Sequence, residues 1–360
     1  MLYSAIRKVL FQFDAEKMHD LTIDFCQKAS LIPGLQSAVK MMYGYNDPRL
    51  EVTIGNLRFS NPIGLAAGFD KNGVAINLLQ NLGFGTIEVG TTTPKPQPGN
   101  PKPRLYRIKE ERAIINQRGF NNDGIDMLIN HIKIAKPKSP IGINIGKNKN
   151  TSMSSAVDDY IIGIKKAWLY SDYITINISS PNTPDLRLLQ KKEHLDNFLS
   201  RIMDTKNELS NKYHKKNQIW LKIDPDLNDK ELETIAELAL LHKIDALVIT
   251  NTTLYKQSLK PEYQNLSGGL SGKPLLKISN EVLRRIYLLT KGEIPLVGVG
   301  GVFSTKDAYQ KILLGASLVQ IYTGLVYNGP KVVKNIKLGL INRLEQEQCK
   351  NIMARIGVLT

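Results

Sequence analysis

From residue 48 onward the chain alternates short apolar runs with amphipathic stretches. Eight runs occur, at 62–67, 86–90, 141–145, 173–178, 219–223, 246–250, 294–299 and 317–322. Each is short and continuously apolar, as a strand buried on both faces must be. Between them the spacing turns helical, as in 230–241 and 280–290. Eight strands with crossover helices predict an α/β fold, a (β/α)8 TIM barrel. A doubly wound sheet is the alternative.

The pattern before residue 48 is different. Leu2, Tyr3, Ile6, Val9, Leu10 and Phe13 follow helical spacing. Asp14 is placed to cap a second helix, with Phe13 and Met18 spaced as a hydrophobic staple. Met18, Leu21, Thr22, Phe25 and Ala29 form its stripe, and Pro33-Gly34 closes it. A third apolar piece follows at 35–45. We therefore expect a small helical domain over 1–45, a barrel over 46–340 and a tail over 341–360. Periodicity leaves two roles open for the helices: a cap on the barrel, or a monotopic anchor lying in a membrane surface.

Composition narrows the class. Hydrophobic residues are 42% of the 360 and charged residues 22%, close to globular averages, which sets aside disordered and collagen-like chains. Cys26 and Cys349 are the two cysteines. They form no CxxC pair, so zinc ribbons and thioredoxin motifs are excluded and a reducing compartment is expected. The early acids Asp14, Glu16 and Asp20 argue against a mitochondrial presequence, and no secretory signal or spanning segment is expected. Lys and Arg number 48 against 33 Asp and Glu, a net +15. That excess suits an anionic partner such as nucleic acid, acidic lipid or a phosphorylated small molecule, or simply a solvated lysine-rich surface.

The ends of the runs carry the chemistry. They read AAGFDK, EVGTTT, NIGKN, NISSPNT, KIDPD, TNTT, GVGG and YTG. In a barrel these ends converge on one face, where active sites sit. Three long connections, 91–118, 182–195 and 252–274, suggest lids or insertions over that face. The first holds seven Lys/Arg against two Glu, with five prolines. Gly298, Gly300 and Gly301 follow the seventh run, and Gly315 and Tyr322-Thr323-Gly324 bracket the eighth. This is where barrels build phosphate sites. Neither a Walker motif nor GxGxxG opening a helix occurs. The five histidines have no metal-ligand spacing, so no metal is expected. The convergent set is Lys71, Asn116, Asn144, Asn177, Ser180, Asn182, Lys222, Asn251 and Thr252. Asparagine amides suit a planar ring with amide edges, and lysines suit a carboxylate or an electron-rich ring. With no histidine or carboxylate pair for acid–base work, this set points to a cofactor-assisted redox site, not a hydrolase.

The motifs NPIGLAAGFDKNG (61–73), GFGTIEVGTTTPKPQPGNPKPRLYRI (83–108), INQRGFNNDG (115–124), GINIGKN (142–148), NISSPNTPDLR (177–187), ITNTT (249–253), GGLSGKPL (268–275) and VGVGGVFS (297–304) resemble dihydroorotate dehydrogenases, in order, from about 50 to 335. The N-terminal segment resembles the helical extension of the membrane-associated, quinone-using class 2 enzymes. The resemblance implies an FMN-containing (β/α)8 barrel that oxidises dihydroorotate to orotate in pyrimidine synthesis. It implies Ser180 as catalytic base. It implies substrate contacts from Lys71, Asn116, Gln117, Arg118, Gly119, Phe120, Asn177, Asn182, Asn251 and Thr252. FMN contacts would come from Ala66, Ala67, Gly68, Phe69, Asp70, Thr91, Asn144, Asn177, Lys222, Thr250, Gly272, Gly301, Tyr322 and Thr323. His19, Arg107 and Tyr322 would lie near the quinone headgroup. The implied location is peripheral, on the cytoplasmic side of the cell (inner) membrane, with the basic 91–118 loop facing anionic lipid.

One departure stands out: the family's N-R-x-G-F motif reads here Asn116-Gln117-Arg118-Gly119-Phe120, with the arginine displaced by one place. The rival resemblance is to tRNA dihydrouridine synthases, another FMN barrel. No cysteine lies between 27 and 348 to serve as their catalytic residue, and no RNA-binding domain is expected after the barrel. No nucleic-acid partner is therefore expected. A non-enzymatic basic membrane-surface module is opposed by the eight polar strand ends.

Overall fold

In the computed structural model, which describes residues 2–360, the eight apolar runs become the staves of a closed barrel. Leu2 is described by its backbone alone, so its place in the helical stripe lies outside the described residues. In chain order the strands are β1 (Val52–Ile54), β2 (Leu57–Phe59), β3 (Ile63–Leu65), β4 (Thr86–Thr92), β5 (Leu105–Ile108), β6 (Ala113–Asn116), β7 (Ile141–Ile145), β8 (Tyr173–Asn177), β9 (Gln218–Ile223), β10 (Ala246–Ile249), β11 (Gly269–Gly272), β12 (Leu296–Val299) and β13 (Ala316–Ile321). β3, β4, β7, β8, β9, β10, β12 and β13 pair in parallel around the ring. Each matches a predicted run to within about two residues at either end. Their apolar side chains are almost wholly buried because helices cover the outside and side chains fill the inside.

The two ends of the barrel are closed differently. The β1–β2 hairpin covers the end where the strands begin. Gln218, at the start of β9, donates from Nε2 to Ile54 O at 2.5 Å, and Phe59 lies 6.3 Å from the Trp220 ring. Over the other end sits a three-stranded antiparallel sheet, ordered β11-β6-β5. Its strands come from the connections 91–118 and 252–274. Those connections are therefore ordered walls of the strand-end face.

Helices α1 (Leu2–Leu10), α2 (Ala15–Ala29) and α3 (Leu35–Tyr43) precede the barrel. Asp14 caps α2, accepting from Lys17 N at 2.8 Å. α1 is tied to the helix after β13 by Tyr3, whose hydroxyl donates to Val326 O at 2.6 Å. α2 is tied to the start of β5 by a buried ion pair, Arg104–Glu16 at 2.8 Å. The end of α3 is pinned by Lys334, which donates to Met42 O at 3.0 Å, and by Lys337, which donates to Tyr45 O at 2.6 Å. The expected boundary at 340 falls inside the helix Lys331–Gln346. Its apolar stripe, Ile336, Leu340, Ile341 and Leu344, is buried without a break, so the chain does not change character there. Gly357 N and Leu359 N then bond to Ile312 O and Leu313 O, which fastens the final residues to the barrel.

Candidate active site at the strand ends

The C-terminal ends of the barrel strands, roofed by β5, β6 and β11, enclose a cavity with about 1030 Å³ of space including its open mouth. That is at the upper end of the roughly 300–1,000 Å³ usual for small-molecule sites.

A continuous chain of polar side chains crosses its floor. Glu88 of β4 is fully buried. It accepts from Asn144 Nδ2 at 2.7 Å and from Gln320 Nε2 at 2.8 Å. Thr91 donates to Asn144 Oδ1 at 2.5 Å. Asn177 Nδ2 donates to both Thr91 Oγ1 and Asn144 Oδ1, at 3.1 Å each. The Ser179 hydroxyl donates to Asn177 Oδ1 at 3.0 Å and accepts from Asn251 Nδ2 at 3.0 Å. Five strand ends are thereby locked together, since a buried amide without a partner is costly. Ser180 projects beside this chain, and its Oγ accepts from Asn182 N at 3.2 Å. Asn182 in turn donates from Nδ2 to Asn116 O at 3.0 Å.

Three cations line the cavity: Lys71, Arg118 and Lys222. Burial holds Lys222 below its ordinary pKa, while Glu88 pulls it upward. Lys71 lies well below the usual lysine range, first from burial and then from Arg118 and Arg104. Lys71 donates to Asn121 Oδ1.

At one side the wall is glycine. Gly272, Gly300 and Gly301 have φ of 99°, 110° and 72°. A Cβ on Gly301 would sit 2.7 Å from Leu276 N, so no other residue fits there. Ser271 and Thr323 face each other at 2.9 Å across the same turn. Behind it, buried Lys311 donates to Ser279 Oγ at 2.8 Å, and Ser279 Oγ donates to Gly300 O at 3.3 Å. Gly300, Gly301 and Thr323 follow the seventh and eighth strands of the barrel, and β11 brings Ser271 and Gly272 against them.

Most of the expected site residues line this one cavity: Ser180, Lys71, Asn116, Arg118, Gly119, Phe120, Asn177, Asn182, Asn251, Thr252, Ala66, Ala67, Gly68, Thr91, Lys222, Thr250, Gly272, Gly301, Tyr322 and Thr323. Six expected residues do not. Gln117 turns outward and donates to Pro103 O at 3.2 Å. Asp70 accepts from Val74 N at 3.1 Å and Ala75 N at 2.8 Å, which shapes the loop after β3. Asn144 lies one layer beneath, in the polar floor. Phe69 is packed between His19 and Tyr322, with ring centroids 5.5 and 5.7 Å away. His19 therefore reaches the cavity through Phe69. Arg107 holds the α1–α2 turn, donating to Leu10 O at 3.2 Å and to Phe13 O.

Glu88, Ser271 and Arg187 are absent from the sequence expectations. Glu88 had a readable signal: a carboxylate inside an apolar strand must be paired. Arg187 ties the Ser180 loop down, donating to Ser179 O at 3.2 Å, Thr252 O at 3.0 Å and Asp226 Oδ2 at 3.0 Å. Nothing in its local sequence announces that.

Comparison with known proteins agrees with this geometry. The family model for dihydroorotate dehydrogenase matches residues 49–344. A Christiangramia forsetii protein named dihydroorotate dehydrogenase (quinone) is 47% identical over 343 residues, covering 95% of this chain and 99% of its own. A Haemophilus influenzae protein of the same name is 47% identical, covering 93% and 98%. The crystal structure of Eimeria tenella DHODH in complex with ferulenol superposes with a TM-score of 0.88 at 37% identity, covering 96% of this chain and 95% of that one. The chain belongs to the dihydroorotate dehydrogenase family.

Proposed function

We propose that this chain oxidises dihydroorotate to orotate with bound FMN and delivers the electrons to a membrane quinone. The observation that carries this reading is a single cavity joining the Ser180–asparagine constellation to a glycine cradle, with Lys222 between strands at its floor.

The residues fit a flavin nucleotide. Lys222 donates no hydrogen bond among the described residues, although it is 5% exposed. Gln320 Oε1 is buried at the cavity without a hydrogen-bond partner among the described residues. Gly272, Gly301 and Thr323 would hold the phosphate, with Lys311 and Ser279 bracing the loop. Thr91, Asn177 and Thr250 would meet the ring. Bound FMN would supply the redox chemistry, an acceptor for the hydride from C6 of dihydroorotate and a two-electron donor to the quinone.

The chain's own residues do the rest. Ser180 Oγ takes the proton from C5 as its own hydroxyl proton leaves to water entering by the cavity mouth, its orientation fixed by the bond from Asn182 N. A serine hydroxyl is a weak base, so Lys71 and Lys222 must favour the charge that develops. Lys71 meets the substrate carboxylate. Asn116, Asn177, Asn182 and Asn251 offer paired donors and acceptors to the ring amides. Lys222 favours negative charge on the flavin ring. The quinone would approach along α2, where the row His19–Phe69–Tyr322 leads to the cavity. Burial, then Arg118 and Lys71, hold His19 well below its ordinary pKa, so it stands there as neutral imidazole.

Peripheral membrane attachment accompanies this reading. Ile6, Val9, Phe13, Leu21, Phe25, Leu31, Ile32, Met41 and Met42 of the N-terminal segment are exposed. Among the described residues no helix is long and apolar enough to cross a membrane. An exposed apolar face on short helices suits the interfacial mode.

The test is turnover by detergent-purified protein, following orotate with a short-chain quinone or with fumarate as acceptor. Quinone-dependent turnover is expected. Ser180→Ala should retain flavin absorbance and lose roughly 100-fold or more in rate. Turnover with fumarate alone would overturn the quinone assignment. Absence of orotate with every acceptor, despite bound flavin, would overturn the substrate.

A further inference from the structure

Lys222 lacks a donor contact beneath the flavin site, and Arg118 is a second cavity cation with open donors among the described residues. The Arg118 side chain is buried, 5% exposed, and both Nε and Nη2 lack a hydrogen-bond partner among the described residues. A guanidinium cannot neutralise itself, so burying it with open donors is strongly unfavourable unless a ligand completes it. The neighbouring arginines are committed. Arg104 directs Nε and Nη2 to Glu16 and Nη1 to Pro98 O and Asn100 O. Arg107 is held by Leu10 O and Phe13 O and lies 4.5 Å over the Phe11 ring.

The position of Arg118 narrows the ligand. Of all charged groups, it acts most strongly on Lys71, Tyr322, His19 and Asp20. The last two belong to α2, so Arg118 stands between the Ser180 constellation and the helix that walls the mouth. Lys71, Lys102, Arg104 and Arg118 gather there against Glu16 and Asp20, and Glu16 is already shared by Arg104 and Lys102. The surplus is positive, and its open donors are paired in the planar fork that suits oxygen acceptors.

We propose that Arg118 is a specificity-determining residue that binds an anionic oxygen of the electron acceptor, favouring quinones with an ionised ring hydroxyl over neutral ones. This rests on the quinone reading above. It gives the displaced arginine of the Asn116–Phe120 motif a role: the shift by one place turns a cation inward and leaves Gln117 on the outside.

The experiment uses the holoenzyme in detergent, with 2-hydroxy-1,4-naphthoquinone above the pKa of its hydroxyl and 1,4-naphthoquinone as neutral counterpart. In Arg118→Met, KM for the hydroxylated probe should rise about tenfold or more, and for the neutral probe less than about threefold. Arg118→Lys should recover part of the difference. The orotate Kd, read from flavin absorbance, should not rise, because removing Arg118 lets Lys71 keep its proton to higher pH. The thermal midpoint of Arg118→Met without acceptor should be equal or higher, because an unpaired buried charge is gone. Equal losses for both quinones would overturn the proposal. A raised orotate Kd would also overturn it and move Arg118 to the substrate carboxylate. If the wild-type enzyme is bleached by dihydroorotate yet reduces neither quinone, the quinone reading itself fails, and that result needs no variant.

Discussion

Lys71 and Lys222 bring the same charge into one cavity, and their surroundings give them different work. Lys222 has Glu88 near it, which pulls its pKa upward against burial. Lys71 has Arg118 and Arg104 near it, and both push its pKa further down after burial has lowered it. A carboxylate placed beside Lys71 would draw the proton back on, so orotate binding should take up a proton. The sign follows: affinity is highest below the depressed pKa of the free protein and falls as pH rises above it. Orotate titrations followed by flavin absorbance over about pH 6 to 9 should show that decline. Lys71→Met should weaken binding by about 1.5–3 kcal/mol, roughly 10- to 100-fold, and flatten the pH dependence. A wild-type affinity that does not fall with pH would remove Lys71 from the carboxylate. The site residues were legible where polar side chains end apolar runs, as with Asn177, Ser180 and Asn251. Inside the Asn116–Phe120 turn all five positions were named through the resemblance, but which of them face the cavity was not legible. There Gly119 and Phe120 take φ of 67° and 54°, and the backbone path alone decides that Arg118 faces in and Gln117 out.

Loops built from separate strands must be tied together if their side chains are to hold one geometry. Arg187 is the tie, since one guanidinium joins the Ser180 loop, the loop after β10 and Asp226 after β9. Arg187→Met should leave flavin bound and lower kcat by about 10- to 100-fold, the cost of a modest misplacement of reacting groups. Its effect on the thermal midpoint should be small beside that of a core substitution. Unchanged kcat would mean the loop is held without it. Long amphipathic elements such as α2 and the barrel helix Asp229–Leu241 were legible because their stripe repeats over several turns. The roof was not. β5, β6 and β11 have four residues each, and β11 pairs with a strand more than a hundred positions earlier in the chain. The β1–β2 hairpin failed for the same reason: three-residue strands carry too little periodicity to register. Short strands are specified by what they pack against, and local pattern does not record that.

At the scale of the whole molecule, part of the net +15 lies beside the exposed apolar residues of α1 to α3. Arg7 and Lys8 of α1 share a cleft with Lys109 and Arg112 of the roof, lined also by Phe11 and Tyr327. Attachment to a membrane should therefore have two separable parts. The electrostatic part must weaken as the Debye length shortens from about 10 Å at 0.1 M salt to about 3 Å at 1 M. The apolar part should persist, since burial is worth roughly 25 cal/mol per Å² whatever the salt. Sedimentation with vesicles containing anionic phospholipid should show binding that falls with salt to a plateau above zero. Lys8→Ser with Lys109→Ser should lower the salt-sensitive part, and Phe25→Glu with Leu31→Glu should abolish the plateau. None of these four side chains lines the cavity, so turnover with a soluble short-chain quinone should remain at wild-type level in both variants. Turnover with a long-chain quinone embedded in the vesicle should fall with binding. Association indifferent to both salt and vesicle charge would show that the basic cleft plays no part in it. Loss of soluble-quinone turnover in the apolar variant would instead mean that the end of α2 holds the acceptor site together, with membrane attachment a secondary role.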